Sequence, residues 1–132
     1  MTLPVTDVDK ALAFYTALGF GLDVDYHPRD GFRVVQVTPP GSTCSIQFGE
    51  GLTDASPGST RANYLVVDDL QLTHDDLTAR GLPVGPIQHK TPADTWAGDF
   101  APGLDPERRN YASMATLIDP DGNTWMLQEI HR

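Results

Sequence analysis

Residues 63–82, NYLVVDDLQLTHDDLTARGL, align without a gap on residues 1–20, MTLPVTDVDKALAFYTALGF, at a constant offset of 62. Leu65 meets Leu3, Val67 meets Val5, Asp69 meets Asp7 and Gly81 meets Gly19. A strand leading into a helix needs these matches: apolar side chains on one strand face, an acid at the helix start, a glycine at its end. Within 7–20, Val8, Ala11, Leu12, Tyr15 and Leu18 recur at helical spacing, with Thr6 or Asp7 as the cap. Leu3 and Val5 alternate with Thr2 and Pro4, which suits a short strand before the helix.

Strand-like material follows each helix, at Gly21–Tyr26, Phe32–Thr38 and Cys44–Phe48 in the first copy and Val84–His89, Ser113–Ile118 and Thr124–Glu129 in the second. The turns TPPGST (38–43) and DPDGNT (119–124) also superimpose, now at an offset of 81, so the second copy has gained 19 residues. The gain falls in TPADTWAGDFAPGLDPERRNY, 91–111, which is too long for a default connection. The expected organisation is one domain, 1–132: module one over 1–49, a linker over 50–61, and module two over 62–132 with its insertion at 91–111.

With 132 residues, 39% of them hydrophobic, the chain can bury a core. Nine Lys and Arg against 18 Asp and Glu give a net charge of -9, and no basic stripe exists to neutralise phosphates, so nucleic acid is excluded as a partner. No apolar run approaches a bilayer span and no signal peptide pattern opens the chain, so neither membrane attachment nor export is expected, and the location is cytoplasmic. The lone cysteine, Cys44, is read as a buried small hydrophobe within a strand.

In the final strand, Thr124, Met126 and Gln128 point one way and Trp125, Leu127 and Glu129 the other. The repeat, with VTDVDKALAFYTALGF at the front and DPDGNTWMLQE at the back, resembles the vicinal oxygen chelate superfamily, which contains glyoxalase I, extradiol dioxygenases and bleomycin-resistance proteins. The resemblance implies an α+β fold in which two βαβββ modules form a curved, cup-like mixed sheet, often within a homodimer. Edge strands of such short modules also need covering.

Metal enzymes of that family carry ligands on the first and last strand of each module. Carried over by spacing, the first place falls before Met1, and the other three are Ala62, Met126 and Ser45. A methyl group, a soft thioether and a neutral hydroxyl are poor donors for a divalent ion, so no metal and no cofactor is expected. A slip of one residue would bring Gln47, Asn63, Gln128 or Glu129 into these places, but would turn Leu65 and Val67 into the cavity.

On this register the concave face holds Thr43, Ser45, Gln47, Tyr64, Val66, Thr124, Met126 and Gln128, a mixture suited to orienting a small organic molecule. In the insertion, Trp96, Phe100, Arg108, Arg109 and Tyr111 would form a lid, or else Trp96 plugs the end of the cup and the arginines pair with Asp105 or Glu107. The expected ligand contacts are Ser45, Gln47, Tyr64, Trp96, Arg108, Met126 and Gln128. The expected function is metal-independent binding of a small, possibly aromatic molecule, of the kind found in glyoxalase-like resistance proteins. The alternative is a metal-dependent lyase, isomerase or dioxygenase, or one using His27, His89 or Glu129 for acid–base work; no catalytic residue is assigned.

Overall fold

A computed structural model describes residues 1–93 and 95–131. The chain forms two compact units: Met1–Arg61 with Asp119–Asn123, and Ala62–Ile118 with Thr124–Arg132. The first holds α1 (Val8–Ala17), β1 (Gly21–Arg29), β2 (Phe32–Thr38) and β3 (Ile46–Glu50), an antiparallel sheet in the order β1-β2-β3. The second holds β4 (Asn63–Val67), α2 (Leu70–Ala79), β5 (Gln88–Thr91), β6 (Asp99–Pro102), β7 (Ser113–Ile118) and β8 (Thr124–Glu129). Its sheet runs β4-β8-β7-β5-β6, with only the β4–β8 pair parallel. The α+β architecture is the one the repeat implies.

The repeat is visible in hydrogen bonds. Asp7 caps α1 by accepting from the Lys10 N–H, and Asp69 caps α2 by accepting from the Leu72 N–H, both at 3.0 Å. At the other ends Gly19 (φ 104) and Gly81 (φ 78) take the left-handed conformation that closes a helix. Phe20 and Leu82 then donate their N–H groups back to Tyr15 and Leu77. The short first strand of the first unit shrinks to a parallel bridge between Thr2 and Gln47. Its counterpart β4 pairs fully, Tyr64 lying beside Met126.

In the first unit, Val8, Ala11, Phe14 and Tyr15 of α1 meet Val35, Val37, Ile46 and Phe48 in the core. Phe14 takes the inward place that helical spacing gave to Leu12 and Leu18, which are half-buried. In the second unit Leu70 and Leu77 lie over the face carrying Ala115, Leu117, Trp125 and Leu127. Arg33 of β2 pairs with Asp25 of the neighbouring β1 (2.9 Å) and with Asp9 of α1 (2.8 Å), and its guanidinium holds the Asp25 carboxyl below its usual range.

Three local expectations are corrected. Cys44 is exposed, because Ser42 accepts its N–H at 2.9 Å in a local turn and β3 starts only at Ile46. The strand expected at Val84–His89 begins instead at Gln88: Pro86 has no N–H for a ladder, and Val84 makes only an isolated bridge to Leu117. Part of the insertion is neither lid nor loop, since Asp99–Pro102 pairs with β5 as an added edge strand.

The turn Asp119–Asn123 is organised around one buried carboxylate. Asp119 Oδ2 accepts from the Tyr15 hydroxyl (2.7 Å) and Asn123 Nδ2 (2.8 Å), while Oδ1 accepts from the N–H groups of Asp121 and Asn123, each at 2.9 Å. Asn123 Nδ2 also donates to the Pro4 carbonyl at 3.0 Å. The polar run of the turn is thus internal structure of the first unit.

Candidate functional site

The face of each sheet that carries chemistry is fixed by what its other face must bury. In the second unit, β7 and β8 turn Ser113, Ala115, Leu117, Trp125, Leu127 and Glu129 inward beneath α2. The open face is left with Tyr64 and Val66 of β4, Thr124, Met126 and Gln128 of β8, and Met114, Thr116 and Ile118 of β7. Tyr64, Val66 and Ile118 are 45%, 43% and 46% exposed, on β4 and β7 to either side of β8. Met126 sits between Tyr64 and Thr116, and the Thr116 hydroxyl points at its sulfur, 3.5 Å away.

Gln128 lies on the same side but is buried, and its Nε2 donates to the Tyr111 carbonyl at 3.4 Å. Gln47 also has a protein partner, Thr2 Oγ1 at 2.8 Å. Burial of these two amides therefore needs no guest to satisfy it. Trp96 is 67% exposed, with the Lys90 ammonium 3.6 Å from its ring centroid.

Arg108 is directed elsewhere. Its guanidinium grips Glu129 in a fork, Nε to Oε1 at 2.7 Å and Nη2 to Oε2 at 2.5 Å, on the helix side of the sheet. The Glu129 side chain is fully buried and also accepts from the Leu70 N–H (2.8 Å), with His131 Nε2 3.0 Å from Oε1. The Arg108 hydrogen bonds hold the Glu129 carboxyl below its usual range, and the Leu70 amide adds to this. Arg109 pairs with Asp105 (2.9 Å) and Glu107 (3.3 Å), the local pairing the sequence offered as one option. Asp105 is held well below the carboxylate range by the Arg109 fork.

The histidines do not gather at the open faces. His89 has Nδ1 2.8 Å from the Gly103 carbonyl and shares a side with Ser113, the buried side of β7. His74 places Nε2 2.9 Å from the Gly85 carbonyl, and His27 lies on the fully exposed strand β1.

In the first unit, Ser45 and Gln47 come together with Met1, Gln36 and Ile46 around a hollow of about 200 Å³. Ser45 is bonded to Thr38 Oγ1 at 2.8 Å, and Thr38 to Asp23 Oδ2. Sequence reading missed Asp23 and Thr38, because β1 and β2 slip register between Leu22 and Val24 and the bulge re-aims Asp23. Thr116 and Ile118 were missed as well, although the alternation of β7 carries the signal that places them.

Of the four places that would hold a metal, the three within residues 1–132 carry a thioether, a hydroxyl already engaged, and the methyl of Ala62 just before β4. Among the described residues no group of three or more His, Cys, Asp or Glu side chains could hold an ion. This donor set does not fit a divalent metal.

Paired strand–helix–strand modules with open sheet faces define a class of small α+β proteins. The sequence model of the Glyoxalase/Bleomycin resistance protein/Dioxygenase superfamily matches residues 1–127, and the chain belongs to that superfamily. Among solved structures it is similar to TnmS3, an antibiotic binding protein from Streptomyces sp. CB03234, at 29% identity and a TM-score of 0.71, covering 98% of this chain and 91% of that one. A superfamily member from Sphaerobacter thermophilus DSM 20745 is 27% identical with a TM-score of 0.70, covering 98% and 94%. A bleomycin-binding protein complexed with bleomycin, 24% identical with a TM-score of 0.56 over 98% and 95%, shares the fold. No match was found among curated protein sequences. No helix of the described residues is long and apolar enough to cross a membrane.

Proposed function

We propose that the chain is a metal-independent binding protein that holds a small, planar organic molecule against an open sheet face. The observation that carries this reading is the exposure of Tyr64 and Ile118 to either side of Met126, among the hydroxyl groups of Thr116 and Thr124, on a sheet whose other face packs against α2 at β7 and β8. In the second unit Tyr64 and Met126 offer a flat and a polarisable surface to an aromatic guest; in the first unit Ser45 and Gln47 offer polar groups to a guest in that unit's own hollow. Trp96 contributes a further aromatic face from the insertion. Arg108 is assigned no contact, because its fork is spent on Glu129. The antibiotic-binding activity named for TnmS3 supports the choice of binding over catalysis.

Protein purified without chelator is expected to contain no stoichiometric divalent metal by mass spectrometry. It should gain thermal stability with 2-naphthol, a planar aromatic, growing with concentration as mass action requires. About one tightly held divalent ion per chain would sink the reading.

The working form is a homodimer in the cytoplasm. Nine exposed residues of edge strand β1, including Leu22, Val24 and Tyr26, support the first part. A single free, exposed thiol supports the second. Sedimentation equilibrium should give about twice the 14.4 kDa chain mass; a monomer at micromolar concentration would count against the dimer.

A further inference from the structure

We infer that Ser45, at the hollow of the first unit, recognises a hydrogen-bond donor on its guest, such as a hydroxyl, an amide N–H or an ammonium, and discriminates against a group that only accepts. The inference rests on the small-molecule reading above and specifies the polar edge of the ligand. Its basis is a count of protons along Asp23, Thr38 and Ser45.

A carboxylate only accepts, and a threonine hydroxyl has one proton. Thr38 donates that proton to Asp23 Oδ2. The contact of 2.8 Å between Thr38 and Ser45 can then be a hydrogen bond only if Ser45 is the donor. Ser45 thereby spends its own single proton backward, away from the hollow that it lines. What it presents to a guest is lone pairs.

The acceptor-only character belongs to Ser45 and not to Gln47. Gln47 spends one N–H on Thr2 Oγ1 and keeps its second N–H and its carbonyl oxygen, so it can answer either a donor or an acceptor on a guest. Asp23 stands one hydroxyl behind Ser45, so its charge also favours an electropositive group against the Ser45 oxygen. A carbonyl, ether or carboxylate edge at Ser45 would meet lone pairs with lone pairs, and the relay would have to give up its bond to Asp23 to answer it.

The test uses two probes with the same aromatic body, 2-naphthol and 2-methoxynaphthalene, which differ in whether the oxygen carries a proton. Each is titrated into ¹⁵N-labelled full-length protein and followed by the amide signals of Gln36, Ser45 and Gln47. The naphthol is expected to move these signals and to bind there about tenfold more tightly than its methyl ether. Asp23→Ala releases the Thr38 proton toward Ser45 and lets Ser45 turn its own toward the guest, so the preference should fall toward one. Ser45→Ala should remove the preference in the same way. Asp23 is exposed, so the variant keeps the core of the unit.

Equal binding of the two probes at these residues, or a preference that survives both variants, overturns the inference. Shifts confined to the face around Tyr64 and Met126 overturn it while leaving the small-molecule reading standing. Absence of shifts anywhere with either probe overturns both.

Discussion

Asp119→Ala is expected to lower the unfolding free energy by about 3–5 kcal/mol, because it strips the acceptor from several donors at once. The Tyr15 hydroxyl, Asn123 Nδ2 and the N–H groups of Asp121 and Asn123 all end on this carboxylate. Tyr15 is fully buried among Phe14, Phe20 and Phe48, with ring centroids 5.0 to 5.6 Å away, so its hydroxyl has no route to water. Tyr15→Phe removes a single donor and keeps the ring, and should cost only about 1–2 kcal/mol. Urea denaturation of the two variants separates these effects. A loss below about 1 kcal/mol for Asp119→Ala would show that the turn is held by its backbone alone.

Arg108→Ala is expected to cost about 2–3 kcal/mol at neutral pH. Removing Arg108 leaves the buried Glu129 with only the Leu70 N–H and His131 as partners, and the partial exposure of Arg108 keeps the figure below that of a fully buried pair. Because Arg108 lowers the folded-state pKa of Glu129, the contribution is present above the unfolded glutamate value and disappears as pH falls through the folded one. The gap between wild type and variant, measured by denaturation at successive pH values, should therefore be widest near pH 7 and narrow on the acid side. A gap that widens with acid would contradict the assignment of Glu129 as the charged partner. Slack in the segment is a second expected effect, since Arg108 and Tyr111 hold positive φ angles of 50° and 68° and Tyr111 donates its N–H to the Glu129 carbonyl.

Much of the fold was legible because the cues were local and doubled. Asp7 and Asp69 mark helix starts, Gly19 and Gly81 mark ends, and each copy vouches for the other. The face of β8 was legible for a similar reason: period-two alternation leaves two choices, and burial of Leu127 and Trp125 decides between them. The site was less legible, since its parts depend on contacts distant in sequence or on slips of register. Arg108 finds Glu129 twenty-one positions away, and nothing in the adjacent pair Arg108–Arg109 says which acid each will choose. Asp23 joins Thr38 and Ser45 only because of the bulge in β1, and alternation carries no sign of an extra residue. Cys44 was misplaced because a serine two residues earlier closes a turn where apolar neighbours suggested a strand.

The grouping of Asp119–Asn123 with Met1–Arg61 means that the protein cannot be split at the seam its duplication suggests. A fragment ending at Arg61 would carry a whole helix and a whole sheet, yet would lack the loop that answers Tyr15, Thr6 and Thr60. What began as two tandem copies has become a pair of halves in which the earlier one reaches maturity only after the later one has been synthesised.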